Sequence, residues 1–185
     1  MRLRDAGMVA ALAAAGCIKQ AQPVQAPSPW TVAVVAMLEA AESGELQAAP
    51  AGLTDALQAE TNRRALNAVV PESASWMETF KARRTTEQRV VHVAETANTD
   101  LLLVVETEPR WYSQIAGRFR WTVDVDVSFG RSADPNGAVH QHFEVPVTLL
   151  FDHQREAEAV AEATSIIDRR VAALLDQWLR AEGGE

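Results

Sequence analysis

The sequence predicts an α/β (α+β) fold: a mixed sheet of about five strands, in the order β-α-β-α-β-β-β-α, with helices packed on it and a long C-terminal helix. Three observations carry this reading. Phe119–Phe129 reads Phe-Arg-Trp-Thr-Val-Asp-Val-Asp-Val-Ser-Phe, and Val139–Phe151 alternates again after a turn-rich stretch. Period two is the pattern of strands with one dry and one wet face. Val160, Thr164, Ile167, Val171, Leu174 and Trp178 recur at steps of four and three, which marks one helix of about seven turns. Between Thr31 and Val105, short apolar runs alternate with amphipathic segments, the rhythm of strands joined by helices.

In chain order, Thr31–Leu38 is a Val- and Ala-rich run and predicts a buried first strand. Glu39–Gly52 reads as a loop. Leu53–Leu66 sets Leu53, Ala56, Leu57, Thr61 and Ala65 against Asp55, Gln58, Asn62 and Arg63, an amphipathic helix with Asn67 as its left-handed stop. Ala68–Val70 is a brief second strand ended by Pro71. Glu72–Ala82 forms a helical piece with Trp76, Met77 and Phe80 inward. After a break at Arg83-Arg84, Thr86 caps a second piece running to Ala97. Leu101–Val105 is the third and central strand. Glu106–Gly117, with Pro109 and Gly117, reads as a connection. Phe119–Phe129 and Val139–Phe151 then form a hairpin about Asp-Pro-Asn-Gly, and Pro146 marks the second of them as an edge or bulged strand. Asp152 caps the final helix, and Gly183-Gly184 ends it. Early Glu156, Glu158 and Glu162 and late Arg169, Arg170 and Arg180 suit its dipole.

The first residues are a targeting segment. Arg2 and Arg4 precede the apolar run Met8–Ala15, too short to span a bilayer as a helix. Ala14-Ala15-Gly16-Cys17 resembles the bacterial lipobox, in which the Cys is lipidated and becomes the mature N-terminus. Residues 1–16 are then a signal peptide, 17–29 a Pro- and Gln-rich tether and 30–185 one envelope domain. Cys17 is the only cysteine, so the exported chain has no disulfide. Ile18 follows it in place of Asp, which by the enteric rule directs an outer-membrane lipoprotein facing the periplasm or the cell surface. Removing residues 1–16 takes away two Arg and one Asp and moves the net charge from −8 to −9. That balance excludes a nucleic-acid partner, which needs a basic stripe.

Thr31–Val35, then Thr54–Leu66 with Ala68–Val70, then Ala94–Val104 with its Asp-Leu-Leu-Leu-Val, resemble successive steps of the CsgG / TolB amino-terminal class of envelope domains. A hairpin and closing helix follow, as in that class. It includes curli secretion channels and peptidoglycan-synthase (penicillin-binding-protein) activator lipoproteins. The chain departs from the pattern at Ala36-Met37, in place of Pro-Phe, and lacks the Gly expected near Val105-Glu106. The resemblance implies a protein partner in the envelope.

No Gly-x-Ser-x-Gly and no phosphate-cradling glycine loop is present, so the expectation is a non-enzyme with no cofactor beyond lipid on Cys17. Arg110-Trp111-Tyr112 has the residue types of binding hot spots; the alternative is that Trp111 tucks under the hairpin as core. His140 and His142 lie two apart on a wet strand face. A hairpin folded about Asp134 sets Asp126 opposite His142 and Asp124 opposite Glu144. His140, His142 and Asp126 can then hold a divalent metal, or form a solvated face with a cross-strand ion pair. His92 and His153 are read as helix-surface and helix-start residues. Glu106 and Glu108, at a strand end, are not read as catalytic.

Overall fold

The computed structural model describes residues 30–82, 85–151 and 153–182. The residues read as a targeting segment and tether, with Cys17, those read as a break at Arg83-Arg84, Asp152, read as a cap, and Gly183-Gly184 lie outside the described residues. The elements are β1 (Thr31–Glu39), β2 (Leu46–Ala48), α1 (Ala51–Arg63), β3 (Asn67–Val69), α2 (Ser73–Ala82), α3 (Thr86–Thr96), β4 (Leu101–Ile115), β5 (Arg118–Arg131), β6 (Val139–Leu149) and α4 (Glu156–Glu182). They form a mixed sheet ordered β2-β1-β4-β5-β6, with β3 also pairing β1. β1 runs parallel to β3 and β4, and the other pairings are antiparallel.

Alternate residues of the sheet feed two cores. Val32, Val34, Ala36, Leu38, Leu101, Leu103, Val105, the odd-numbered residues Trp121–Phe129 and Val145–Leu149 pack under α1 and α4. Ala33, Val35, Met37, Leu102 and Val104 pack on the other side under Trp76 and Phe80 of α2 and Val90 and Val93 of α3. Each Val, Leu, Met or Phe side chain among them contributes about 1.5–3 kcal/mol by leaving water. α1 is tied to α4 by Arg64, whose Nε donates to Asp176 at 2.7 Å and whose Nη2 donates to the Ala172 carbonyl at 3.0 Å. Trp30 meets Trp178 edge-on at 5.7 Å, and Phe129 meets the same ring at 5.1 Å. The described chain therefore begins pinned to the last turns of α4.

Several boundaries move, each for a physical reason. The stretch read as a loop at Glu39–Gly52 contains β2, which pairs β1 through Leu46 and gives the sheet a sixth strand. α1 ends earlier than read: Ala65, not Asn67, takes the left-handed conformation (φ 60°), and the Asn67 N–H donates to the Trp30 carbonyl to open β3. Thr85, not Thr86, caps α3, its hydroxyl accepting from the Gln88 N–H at 3.3 Å. His92 is buried in place of lying on the helix surface, with its ring edge-on to Phe80 at 6.0 Å. Val139, which opens β6, and Phe151, two residues past its end, fall on the dry side of the alternation but are exposed.

The largest correction is at Glu106–Gly117. It is no connection: β4 continues to Ile115 and turns directly into β5, with Ile115 paired to Arg118. Ala116 (φ 50°) and Gly117 (φ 73°) form the two-residue turn, both left-handed as a tight hairpin requires. β1 pairs β4 only as far as Thr107. Pro109 therefore sits where β4 has become an edge, a position that tolerates a missing N–H. β6 is likewise an edge strand, and its Pro146 is exposed.

Candidate functional site

Two adjoining features stand out, both made by β4 and β5. The first is the arm beyond Thr107. Trp111 is 57% exposed, Tyr112 69% and Ile115 55%. Trp111 pairs with Trp121 across the strands, and the register then shifts between Trp111 and Ser113, a bulge that turns Tyr112 outward. The Arg120 guanidinium lies 5.6 Å from the Tyr112 ring centre. Trp111, Phe119, Trp121, Glu42, Arg155 and Glu156 line a shallow groove of about 430 Å³ beside the start of α4. Trp111 is on the dry side of the sheet but beyond the cover of α4, so it is not core. From Arg110 to Arg120 the charged residues are Arg110, Arg118 and Arg120, all exposed. The tip of the arm thus carries three arginines and no acid in a chain of net charge −8, with Arg110 paired to Asp124 at its base.

The second feature is the polar face of β5 and β6. α2 and α3 cover Ala33, Val35 and Met37 of β1 and Leu102 and Val104 of β4 on this side of the sheet, and α3 also touches β5. The register sets Asp126 opposite His142 and Asp124 opposite Glu144, as a hairpin about Asp134 requires. His142 Nδ1 lies 3.0 Å from Asp126 Oδ1, and His140 Nδ1 lies 2.8 Å from Ser128 Oγ. The structure therefore brings His142 and Asp126 together and engages His140 elsewhere. Among the described residues, the group whose ligand atoms gather is Asp124, His142 and Glu144, each within 4.8 Å of the others. Asp124 also pairs with Arg110 of the arm. His153, exposed before α4, stacks on Phe151 at 5.5 Å.

Where the covered and open parts of this face meet, Arg89 bridges Glu106 and Glu39, the latter at 3.1 Å. Burial pushes the Glu106 carboxyl up from the ordinary glutamate range, against the pull of Arg89. This ion cluster has no local sequence signal, since its members come from β1, α3 and β4. Asp124 and Glu144 were visible in the register, but only side-chain geometry gathers them around His142. Ile115 escaped attention because its turn, Ala116-Gly117, lacks the Asn-Gly or Asp-Gly signature of a tight hairpin.

No protein-family model and no curated protein matches the chain. Among solved structures, it is similar to lipoprotein GNA1162 from Neisseria meningitidis, with 16% identity over 78% of this chain and 99% of that one and a TM-score of 0.43. A PelC dodecamer from Paraburkholderia phytofirmans matches with 11% identity over 81% and 89% and a TM-score of 0.41. The LpoB C-terminal domain from Salmonella enterica matches with 10% identity over 67% and 86% and a TM-score of 0.32. These likenesses lie below the level at which a family or a role carries across.

Proposed function

We propose that this protein is a non-catalytic lipoprotein of the bacterial envelope that binds a protein partner through the β4–β5 arm. The observation that carries the reading is the arm itself. Trp111, Tyr112 and Ile115 stand exposed on a strand pair whose tip carries Arg110, Arg118 and Arg120. Exposed aromatics with arginines are what binding hot spots are made of, whereas a solvated strand end gains nothing from them. The partner's surface has carboxylates around an apolar recess. The sequence before the body supports the envelope setting: a short apolar leader ends at Ala14-Ala15-Gly16, and the lone cysteine follows at once. Lipid on Cys17 holds the body at the outer membrane, facing the periplasm, and acyl chains contribute about 0.8 kcal/mol per buried CH₂. No helix among the described residues is long and apolar enough to cross a membrane.

The test has two parts. Mass spectrometry of the mature chain should find acyl chains on Cys17, and Cys17→Ser should leave the protein out of the membrane fraction. An unmodified thiol on a cytosolic precursor would overturn the anchor. Trp111→Ala with Tyr112→Ala should then abolish co-purification of the partner from solubilised membranes without loss of membrane attachment. Unchanged partners would overturn the arm.

A further inference from the structure

We propose that the polar face of the β5–β6 hairpin is a divalent transition-metal site, with Asp124, His142 and Glu144 as ligands and Asp126 as the residue that orients the histidine. Ligand atoms of the three side chains already lie within 4.8 Å of one another. Ligands about 2.1 Å from a shared tetrahedral ion stand roughly 3.4 Å apart. The remaining closure needs small side-chain rotations, and His142 and Glu144 are both exposed.

Asp124 gives the cluster a direction. It is only 6% exposed, and its Oδ1 is buried with no hydrogen-bond partner. A buried carboxylate oxygen left without a donor is costly, and an ion placed between Asp124, His142 and Glu144 satisfies it. Asp126 accepts from His142 Nδ1 at 3.0 Å. That bond fixes the tautomer and leaves the lone pair on Nε2 for the metal, the role carboxylates play behind metal-bound histidines. One imidazole with two carboxylates suits Zn²⁺, Co²⁺ or Mn²⁺, and two carboxylates neutralise the ion's charge.

Arg110 occupies the position that the ion would take electrostatically. Its guanidinium pairs with Asp124 Oδ2 while about half of the side chain remains exposed. Metal on Oδ1 and arginine on Oδ2 therefore share the charge of one carboxylate: binding the ion weakens the hold on Arg110, and removing it restores that hold.

The test is a calorimetric titration of the full chain with Zn²⁺, repeated with Co²⁺ and followed by visible absorption. One equivalent should bind, and Co²⁺ should show the d–d bands of bound cobalt. His142→Ala and Glu144→Gln, both at exposed positions, should each weaken binding by about 10-fold or more, and Asp126→Asn by about 10-fold through the tautomer. Arg110→Ala should tighten binding several-fold, and His153→Ala should change nothing. Absence of saturable one-to-one binding, or binding indifferent to both His142→Ala and Glu144→Gln, would overturn the site. An Arg110→Ala variant of unchanged affinity would overturn the exchange.

Discussion

One strand holds two regimes. Leu101–Val105, at the base of β4, lies between β1 and β5 and between two helical layers, and all five side chains are fully buried. Arg110–Ile115, on the same strand, keeps β5 as partner but has lost β1 and both helical layers, and it is mostly exposed. Backbone pairing is therefore not what makes a strand part of the core. Neighbours on the faces are, and the arm keeps its bulky residues without them.

The largest expected effect separates the two regimes directly. Leu103→Ala should cost about 2–5 kcal/mol in urea unfolding, through lost burial and the cavity left behind. Trp111→Ala, a larger deletion in the arm, should cost only about 1 kcal/mol, for its cross-strand contact with Trp121. A comparable loss at both positions would erase the distinction.

At the boundary, Arg89→Ala strands the half-buried Glu106 beside Glu39 and should cost about 3 kcal/mol at pH 7. The sign with pH follows from Glu106. Its carboxyl is already raised by burial, and losing Arg89 raises it further. An acid with a raised folded pKa adds stability in full below its unfolded pKa, and that stability is lost as pH rises through the folded value. The deficit of Arg89→Ala should therefore shrink as the pH falls towards 4.5, the ordinary glutamate value. A deficit that grew on acidification would contradict the assignment.

The arm tip offers a smaller change. Ala116 carries a positive φ of 50° in the turn, a conformation that costs a residue with a Cβ about 1–2 kcal/mol and glycine almost nothing. Ala116→Gly should slow hydrogen exchange of arm amides by up to about 10-fold while leaving those of Leu101–Val105 unaltered. The smallest effect belongs to Asp100, which accepts from the Thr31 N–H and hydroxyl, both at 2.8 Å, and whose carboxyl those bonds hold below its usual range. A depressed carboxyl adds stability above its unfolded pKa and loses it as pH falls through the folded one. Asp100→Asn should lower the melting temperature at pH 7, and the gap should close in acid.

Period two exposed the β5–β6 hairpin and its register down to the Asp126–His142 pair, because its dry side meets α4 along most of its length. The same logic misread the ends, Val139 and Phe151, where α4 gives no cover. It failed on the arm for a related reason: from Arg110 to Gly117 neither face is packed and there is no alternation to read, and Pro109 looks like a break until β4 is known to be an edge there. β2 is three residues long, and its pairing with β1 leaves only Leu46 buried. The Arg110–Asp124 pair, which joins the arm to the polar face, arises from a diagonal contact between strands that residue spacing along the chain does not encode.

The most direct measurement is site-specific photocrosslinking in cells, with the probe in place of Tyr112 on the arm and, as the comparison, in place of the exposed Arg169 on α4. The arm probe should give one discrete envelope-protein adduct that disappears in the Trp111→Ala background, and the helix probe should give none. No adduct from the arm, or the same adduct from both positions, would contradict the arm as the docking surface.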